Sequence, residues 1–314
     1  MSLTTFTPRP QGVAVPAKVT TVSLQEKKRL GQPITAITAY DYASARLIDE
    51  AGLDLILVGD SLAMVMQGHE NTLAVTMDEM LLYTRGVRRA VRRALLVADM
   101  PFGSYHTSSR RGVANAIRFI KEAGAEAVKI EGARVELVER LTEAEIPVLG
   151  HIGLTPQSVH KMGGFKVQGK TMAAIDGFRE DALSLAAAGC FAIVLEGIPC
   201  EAARLITDDL AIPTIGIGAG PDCDGQILVM HDMLSLTFSP PARFVRRYAD
   251  LGSIMRKAFT DYKRDVEARM FPSEEESYHL PSEVRLLLAS LHDDVDLEDS
   301  ERGREPCKPA MHRN

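Results

Sequence analysis

The chain contains no tryptophan, no CxxC pair, no HExxH motif and no apolar run approaching the roughly 18 residues of a membrane span. The four cysteines, Cys190, Cys200, Cys223 and Cys307, therefore read as free thiols of a reducing compartment. The first stretch, Met1 to Lys18, is rich in Thr and Pro, and no apolar signal-peptide core follows its few charges. It lacks acids, as transit peptides do, but it also lacks their Arg-rich amphipathic pattern, so the cytoplasm is the expected location. A formal net charge of −6 argues against a general nucleic-acid binder.

What is present is a core. Of 314 residues, 46% are hydrophobic, enough for one large core or two small ones. Leu53 to Val58 is an apolar run that leaves through Gly59 and meets Asp60 and Ser61. A run apolar on both sides reads as a strand buried on both faces, as in parallel sheets. The pattern recurs: Leu95 to Ala98 ends at Asp99, Ala127 to Ile130 at Glu131, and Ala192 to Leu195 at Glu196. In parallel α/β folds ligands bind at the carboxyl ends of the strands. The chain thus reads as a scaffold that gathers Asp60, Asp99, Glu131 and Glu196.

The remaining elements follow in alternation. Helices are expected over Val22–Arg29, Ser44–Ala51, Met77–Arg93, Asn115–Ala123, Glu136–Ala144, Asp176–Ala188 and Cys200–Thr207, with further helical content in Phe244–Met270. Further strands are expected over Ile34–Ala39, Pro147–Gly150, Pro213–Gly218 and Ile227–Met230. Met64–Thr76 reads as a loop, and Leu154–Gly169 as a glycine-bearing loop of the kind that covers a site. Eight β/α units in a chain of this size fit an α/β fold of the (β/α)8 barrel type, a single domain of roughly 250 residues. An open doubly wound sheet is the alternative. The expected division is an arm over 1–17, the barrel over 18–280, and a polar tail over 281–314 with the acidic run 293–299, disordered or peripheral.

Two carboxylates at strand ends among small neighbours suit a hard cation with oxygen ligands, and Mg²⁺ is the natural choice for Asp60 and Asp99. Strand-end or capping acids are also common without any ligand. Lys129 and Glu131, two apart in a strand, face the same side, with Val128 facing the other. A lysine inside a barrel is costly unless paired, so it either joins an ion network or stabilises a developing oxyanion. Glu196 can serve as a base if its pocket is partly desolvated, or as a helix-terminal acid. His151 is a packing or supporting residue, and His69 and His106 sit in loops at the same end. The run Ile215–Gly220 lacks the spacing of a dinucleotide fingerprint, and its glycines allow a ligand or chain to come close. Arg85, Arg88, Arg89, Arg92 and Arg93 fall on one helical face, read as a solvated or subunit-contact surface.

Together these motifs resemble the ketopantoate hydroxymethyltransferase family. The resemblance rests on Thr38-Ala39-Tyr40-Asp41, Val58-Gly59-Asp60-Ser61, Ala98-Asp99-Met100-Pro101-Phe102 and Val128-Lys129-Ile130-Glu131-Gly132. It continues through Gly150-His151-Ile152-Gly153-Leu154-Thr155-Pro156-Gln157, Lys166-Val167-Gln168-Gly169, Ile215 to Gly220 and Asp224-Gly225-Gln226-Ile227-Leu228. It covers about residues 18–280. It implies a Mg²⁺-dependent barrel that transfers a one-carbon unit from 5,10-methylenetetrahydrofolate to 3-methyl-2-oxobutanoate, giving 2-dehydropantoate through a stabilised enolate. It implies that Asp60 and Asp99 ligate the metal and that Glu131 holds it directly or through water. It places the substrate on Asp60, Ser61, Asp99 and Lys129, and makes Glu196 the proton acceptor. All of these residues are present. A homo-oligomer, commonly a decamer, is implied too, and the folate is implied by the resemblance alone.

Two other readings stay open at this point. One is a Mg²⁺-dependent lyase of another 2-oxo acid; such barrels carry a Cys- or acid-bearing loop, whereas Leu154–Gly169 holds Lys161 and Lys166 and no Cys. The other is a catalytically silent barrel.

Overall fold

The computed structural model describes residues 17–164 and 167–289. Eight strands, β1 (Ile34–Thr38), β2 (Leu55–Val58), β3 (Leu95–Asp99), β4 (Ala127–Glu131), β5 (Val148–Gly153), β6 (Ala192–Glu196), β7 (Thr214–Ile217) and β8 (Gly225–Leu228), close in sequence order into one barrel. Every neighbouring pair is parallel, including the closing pair β8–β1. The (β/α)8 reading is correct and the open sheet is excluded.

Strand residues alternate between two cores, as a period of two demands. Ile34, Ala36, Leu55, Leu57, Leu95, Val97, Ala127, Leu149, Ala192, Val194, Ile215 and Ile227 fill the barrel interior. Ile37, Ile56, Val58, Leu96, Ala98, Val128, Ile130, Ile193 and Leu195 face the helices. The interior positions continue upward as Asp99, Lys129, Glu131, His151 and Glu196. Polar side chains therefore stand on an apolar floor, at the strands' carboxyl ends.

The helices are α1 (Thr21–Arg29), α2 (Tyr42–Glu50), α3 (Leu62–Val65), α4 (Met77–Arg88), α5 (Ser109–Arg118), α6 (Val135–Glu143), α7 (Val159–Met162), α8 (Met172–Ala187), α9 (Cys200–Asp209), α10 (Met230–Met233) and α11 (Leu251–Glu267). Several bounds differ from the sequence reading. Helix α4 stops at Arg88 rather than Arg93, because the Asp49 carboxylate on α2 accepts the N–H groups of Arg92, Arg93 and Ala94. The five arginines therefore do not share one helical face. Helix α5 begins at Ser109, six residues before Asn115, where the Ser108 hydroxyl accepts the Arg111 N–H. Helix α3 takes in Met64 and Val65, the first two residues of the expected loop Met64–Thr76.

Strand β8 lies two residues ahead of its expected place. Gly225 pairs with both Ile34 and Ile215, and a Cβ there would come within 2.6 Å of the Ile34 carbonyl oxygen. The seam is too tight for a side chain, so an apolar-run reading misses that residue. No helix joins β7 to β8, so the seventh β/α repeat is incomplete. The glycine run occupies this link. A Cβ on Gly220 would meet Cys200 at 2.3 Å, and one on Gly218 would meet the Phe244 ring at 2.6 Å. It is the chain itself that approaches these glycines.

The amino ends of the strands are held by three acids of one design. Asp54, just before β2, accepts the Thr35 N–H of β1. Glu126, before β4, accepts the Leu96 N–H of β3. Asp224, before β8, accepts the Thr214 N–H of β7. Each also takes a lysine from the segment that carries α1: Lys27 on Asp54 at 2.6 Å, Lys18 on Glu126 at 2.6 Å and Lys28 on Asp224 at 2.8 Å. Leu24 of α1 is fully buried in the barrel floor.

The compact barrel unit runs to Gly252, and residues from Ser253 onward form a second unit. In that unit Tyr262 meets Phe271 edge to face, and residues 282–289 are helical and exposed. The arm up to residue 16, Lys166, Cys307 and the acidic run 293–299 lie outside the described residues.

Burial raises the Asp54 carboxyl, but the bonds from Lys27 and Thr35 outweigh it and hold its pKa below the ordinary value. Its stabilisation is thus complete above the ordinary Asp value of about 3.9 and drains away as pH falls through the lower folded value. Asp54→Asn should cost about 2–4 kcal/mol near neutral pH in urea unfolding, with the gap to wild type closing in acid. A gap that stays constant into strong acid would show that the carboxylate charge is not its source.

Candidate active site

A cavity of about 100 Å³ opens at the carboxyl end of the barrel, lined by Asp60, Ser61, Asp99, Lys129, Glu131, His151 and Glu196 among others. All four strand-end acids read from the sequence meet here, with Ser61 and Lys129. A wider surface groove of about 600 Å³ beside Ser109, Glu136 and Arg140 contains no such cluster.

Three of the acids form a tight set. Ligand oxygens of Asp60, Asp99 and Glu131 lie within 4.8 Å of one another, and all three residues are buried. Lys129 Nζ bonds Asp99 Oδ2 at 2.7 Å and reaches Glu131 Oε1 at 3.4 Å. The Asp60 N–H donates to Asp99 Oδ2 at 3.2 Å. The same-side placement of Lys129 and Glu131 is as expected. The ammonium is ion-paired and also lines the cavity.

Burial pushes the Asp60 carboxyl well above its ordinary range, and the charges of Asp99 and Glu131 push it further. Burial also raises Asp99, against the pull of Lys129. Burial raises Glu131 as well, but Lys129 and His151 outweigh it and bring its pKa down to about 2. Burial alone would lower Lys129, yet Asp99, Glu131 and Asp60 outweigh it and keep the ammonium charged.

His151 ends the inward row of β5, in register with Glu131. Its Nδ1 is 3.5 Å from Glu131 Oε1 and its Nε2 is 3.2 Å from Glu196 Oε2, although neither contact closes as a hydrogen bond. Burial and Lys129 push the imidazole down; the two carboxylates outweigh them, and its pKa rises to about 9. His151 thus stands between Glu196 and the triad, a placement that the spacing of a single histidine did not reveal. His69 is exposed and His106 packs between Phe102 and Tyr105; neither is among the residues lining the cavity.

Three more supporting residues escaped the sequence reading of roles. The Tyr40 hydroxyl lies 2.8 Å from Ser61 Oγ. Gln157 and Tyr105 bond to the triad. Tyr40 and Gln157 stand inside motifs quoted for the resemblance, and Tyr105 follows one closely; nothing in local spacing marks their partners.

The donor set suits a divalent cation. Four acids, Asp60, Asp99, Glu131 and Glu196, line the cavity with two basic side chains, Lys129 and His151. Asp99 Oδ1 is buried without a hydrogen-bond partner. A hard cation with oxygen ligands meets both the charge deficit and the orphaned oxygen.

Lys129→Met leaves the triad without its nearest cation. Its thermal midpoint should fall more in mildly alkaline than in mildly acidic buffer, because protonation relieves repulsion among the carboxylates. Equal losses in both buffers would mean that Lys129 does not neutralise the cluster.

The family model for ketopantoate hydroxymethyltransferase matches residues 18–274. The chain is 61% identical to the 3-methyl-2-oxobutanoate hydroxymethyltransferase of Koribacter versatilis (strain Ellin345) over 274 residues, 87% of this chain and 93% of the relative. It is 56% identical to the enzyme of that name from Gloeobacter violaceus over 249 residues, 78% of this chain and 95% of the relative. Among solved structures it is similar to phosphonopyruvate hydrolase in complex with oxalate and Mg²⁺. That match has TM-score 0.56 and 17% identity, and covers 90% of this chain and 98% of the other. It is also similar to 2,3-dimethylmalate lyase, of the PEP mutase/isocitrate lyase superfamily, with TM-score 0.54, 18% identity and coverage of 92% and 100%. At such identities the structural matches speak for the barrel alone.

Proposed function

The chain belongs to the ketopantoate hydroxymethyltransferase family, and from that membership we propose that it converts 3-methyl-2-oxobutanoate to 2-dehydropantoate, for pantothenate synthesis. The one-carbon donor is 5,10-methylenetetrahydrofolate, and the resident ion is Mg²⁺. The observation that carries this reading is the buried triad with its unpartnered Asp99 oxygen, one imidazole away from Glu196.

Asp60, Asp99 and Glu131 would hold the ion, which when bound would polarise the keto group and acidify the C3–H. Asp60, Ser61, Asp99 and Lys129 also face the substrate. Ser61 offers a hydroxyl steadied by Tyr40. Lys129 presents a fixed positive charge to the oxygen that becomes negative as the enolate forms. Glu196 accepts the C3 proton, and His151 holds that carboxylate in place. The two C–N bonds that hold the methylene carbon to the folate break, one replaced by the bond to C3 and the other by a bond to the oxygen of water, and the C3 proton and one proton of that water end on the two folate nitrogens. Pro156, from the segment after β5, walls the cavity and helps to keep solvent from the carbanion.

The lyase reading gains only a shared barrel from the structural matches, and the charged cavity argues against a silent barrel. A homo-oligomer, decameric by resemblance, fits the exposed apolar stripe Met255, Phe259, Tyr262 and Val266 on α11. Among the described residues no helix is long and apolar enough to cross a membrane, and we place the enzyme in the cytoplasm.

Incubation with both substrates and Mg²⁺ should yield 2-dehydropantoate by mass; release of a cleavage product instead would favour the lyase. Asp99→Ala should abolish turnover in a folded barrel, and full turnover at limiting Mg²⁺ would remove Asp99 from the metal site. Glu196→Gln should slow exchange of the C3 proton with deuterated solvent by about 10²–10⁴-fold, followed by NMR with keto acid and Mg²⁺. Rapid exchange in that variant would assign the base elsewhere.

A further inference from the structure

Gln157 lies in a short 3₁₀ turn, Pro156–Ser158, just after β5, and is almost fully buried. Its side-chain nitrogen donates to Asp60 Oδ2 at 2.9 Å and to the Met100 carbonyl at 3.0 Å. Its side-chain oxygen accepts from the Tyr105 hydroxyl at 2.7 Å. Its backbone N–H donates to Glu131 Oε2 at 2.9 Å. One residue thus ties together the carboxyl ends of β2, β3 and β4 from a loop that leaves β5.

The direction of these bonds is determined. The Glu131 N–H can only donate, and it donates to the Tyr105 oxygen at 3.1 Å. The Tyr105 hydrogen is then free for an acceptor, which is the Gln157 carbonyl oxygen. The amide nitrogen must therefore face Asp60 and the Met100 carbonyl, both acceptors. The bonds close a ring: Glu131 N–H to Tyr105, Tyr105 to Gln157, and Gln157 N–H back to the Glu131 carboxylate. Tyr105 is 3% exposed, so water does not compete for it.

The consequence for the triad is specific. Gln157 occupies one oxygen of Asp60 and one of Glu131, while Lys129 and the Asp60 N–H occupy one of Asp99. Asp60 and Asp99 are each pinned through one oxygen, which fixes the direction of the other, while Glu131 is held through Oε2 by Gln157 and keeps its Oε1 3.4 Å from Lys129. Partners of this kind around a metal set are worth about 10–100-fold in affinity or activity.

We infer that Gln157, itself oriented by Tyr105, is the positioning residue that presents the free oxygen of Asp60, and sets the direction of the Glu131 carboxylate, for a divalent cation. The inference rests on the metal-holding reading of the triad given above. It also makes the β5–α7 turn part of the cation site, so the turn and the carboxylates keep one geometry only when both are in place.

The test is Mn²⁺ binding, read from the EPR signal of the free ion, on wild type, Gln157→Met, Tyr105→Phe and the double variant, each with a thermal melt. Gln157→Met should bind Mn²⁺ about 10–100-fold more weakly. Tyr105→Phe, which keeps the ring and loses only the hydroxyl, should weaken binding less. The double variant should fall short of the summed losses, since Tyr105 acts partly through Gln157. In turnover the dependence on Mg²⁺ concentration should shift in the same order. Wild-type protein that fails to bind Mn²⁺ would overturn the metal reading itself. Wild type that binds, with both single variants binding equally tightly, would overturn the role of Gln157 alone. A merely structural role would lower the melting point and leave affinity unchanged in the folded protein. If Gln157→Met does not fold, unchanged affinity in Tyr105→Phe decides against the inference.

Discussion

Lys129 is what allows Asp60, Asp99 and Glu131 to share one nearly dry space. Three carboxylates crowded together and cut off from water would otherwise take up protons and lose the charge that makes them useful. One ammonium, reached from the adjacent inward position of the same strand as Glu131, offsets part of that repulsion. The remainder is left as an unmet demand for positive charge. The site is therefore unbalanced by construction, and the imbalance is its chemical content. Nothing in the helical layer has to change to accommodate it, because the polar positions are simply the topmost members of otherwise apolar inward rows.

That stacking explains why so much of the centre was legible in the sequence. A strand of period two with a carboxylate at its last inward position can be recognised without a partner strand in view. Asp99, Glu131 and Glu196 are legible as acids that end apolar runs, and the period of two places Lys129 on the same side as Glu131. Asp60 was legible as an acid after a strand, though not as the residue whose N–H reaches Asp99. What stayed hidden depends on contacts across long stretches of chain. Arg92 and Arg93 leave the helix because Asp49 takes their N–H groups. Gly225 belongs to a strand because the seam beside Ile34 excludes a side chain. Tyr105 and Gln157 are 52 residues apart, and neither alone carries a pattern.

The two ends of the barrel use acids in opposite ways. At the carboxyl end, acids outnumber cations and keep oxygens free. At the amino end, Asp54, Glu126 and Asp224 each take a lysine, Asp54 takes Arg93 as well, and all three accept strand N–H groups. Matched charge gives rigidity, while unmatched charge gives affinity for something absent from the chain. The same residue type thus supports the fold at one end and supplies the chemistry at the other, and the difference lies in what faces it.

The lysine contacts of the α1 segment also bear on how the chain is made. Lys28 precedes its partner Asp224 by 196 residues, and Lys18 precedes Glu126 by 108. A chain emerging from a ribosome presents α1 first and must wait for β8 before Lys28 has anything to hold. Until then the closing seam between β1 and β8 is open, and an unpaired strand edge is exposed on each side of it. Contacts of such long sequence separation make closure a late event in folding. The interval between synthesis of the first helix and of the last strand is thus the time during which this chain depends most on its surroundings.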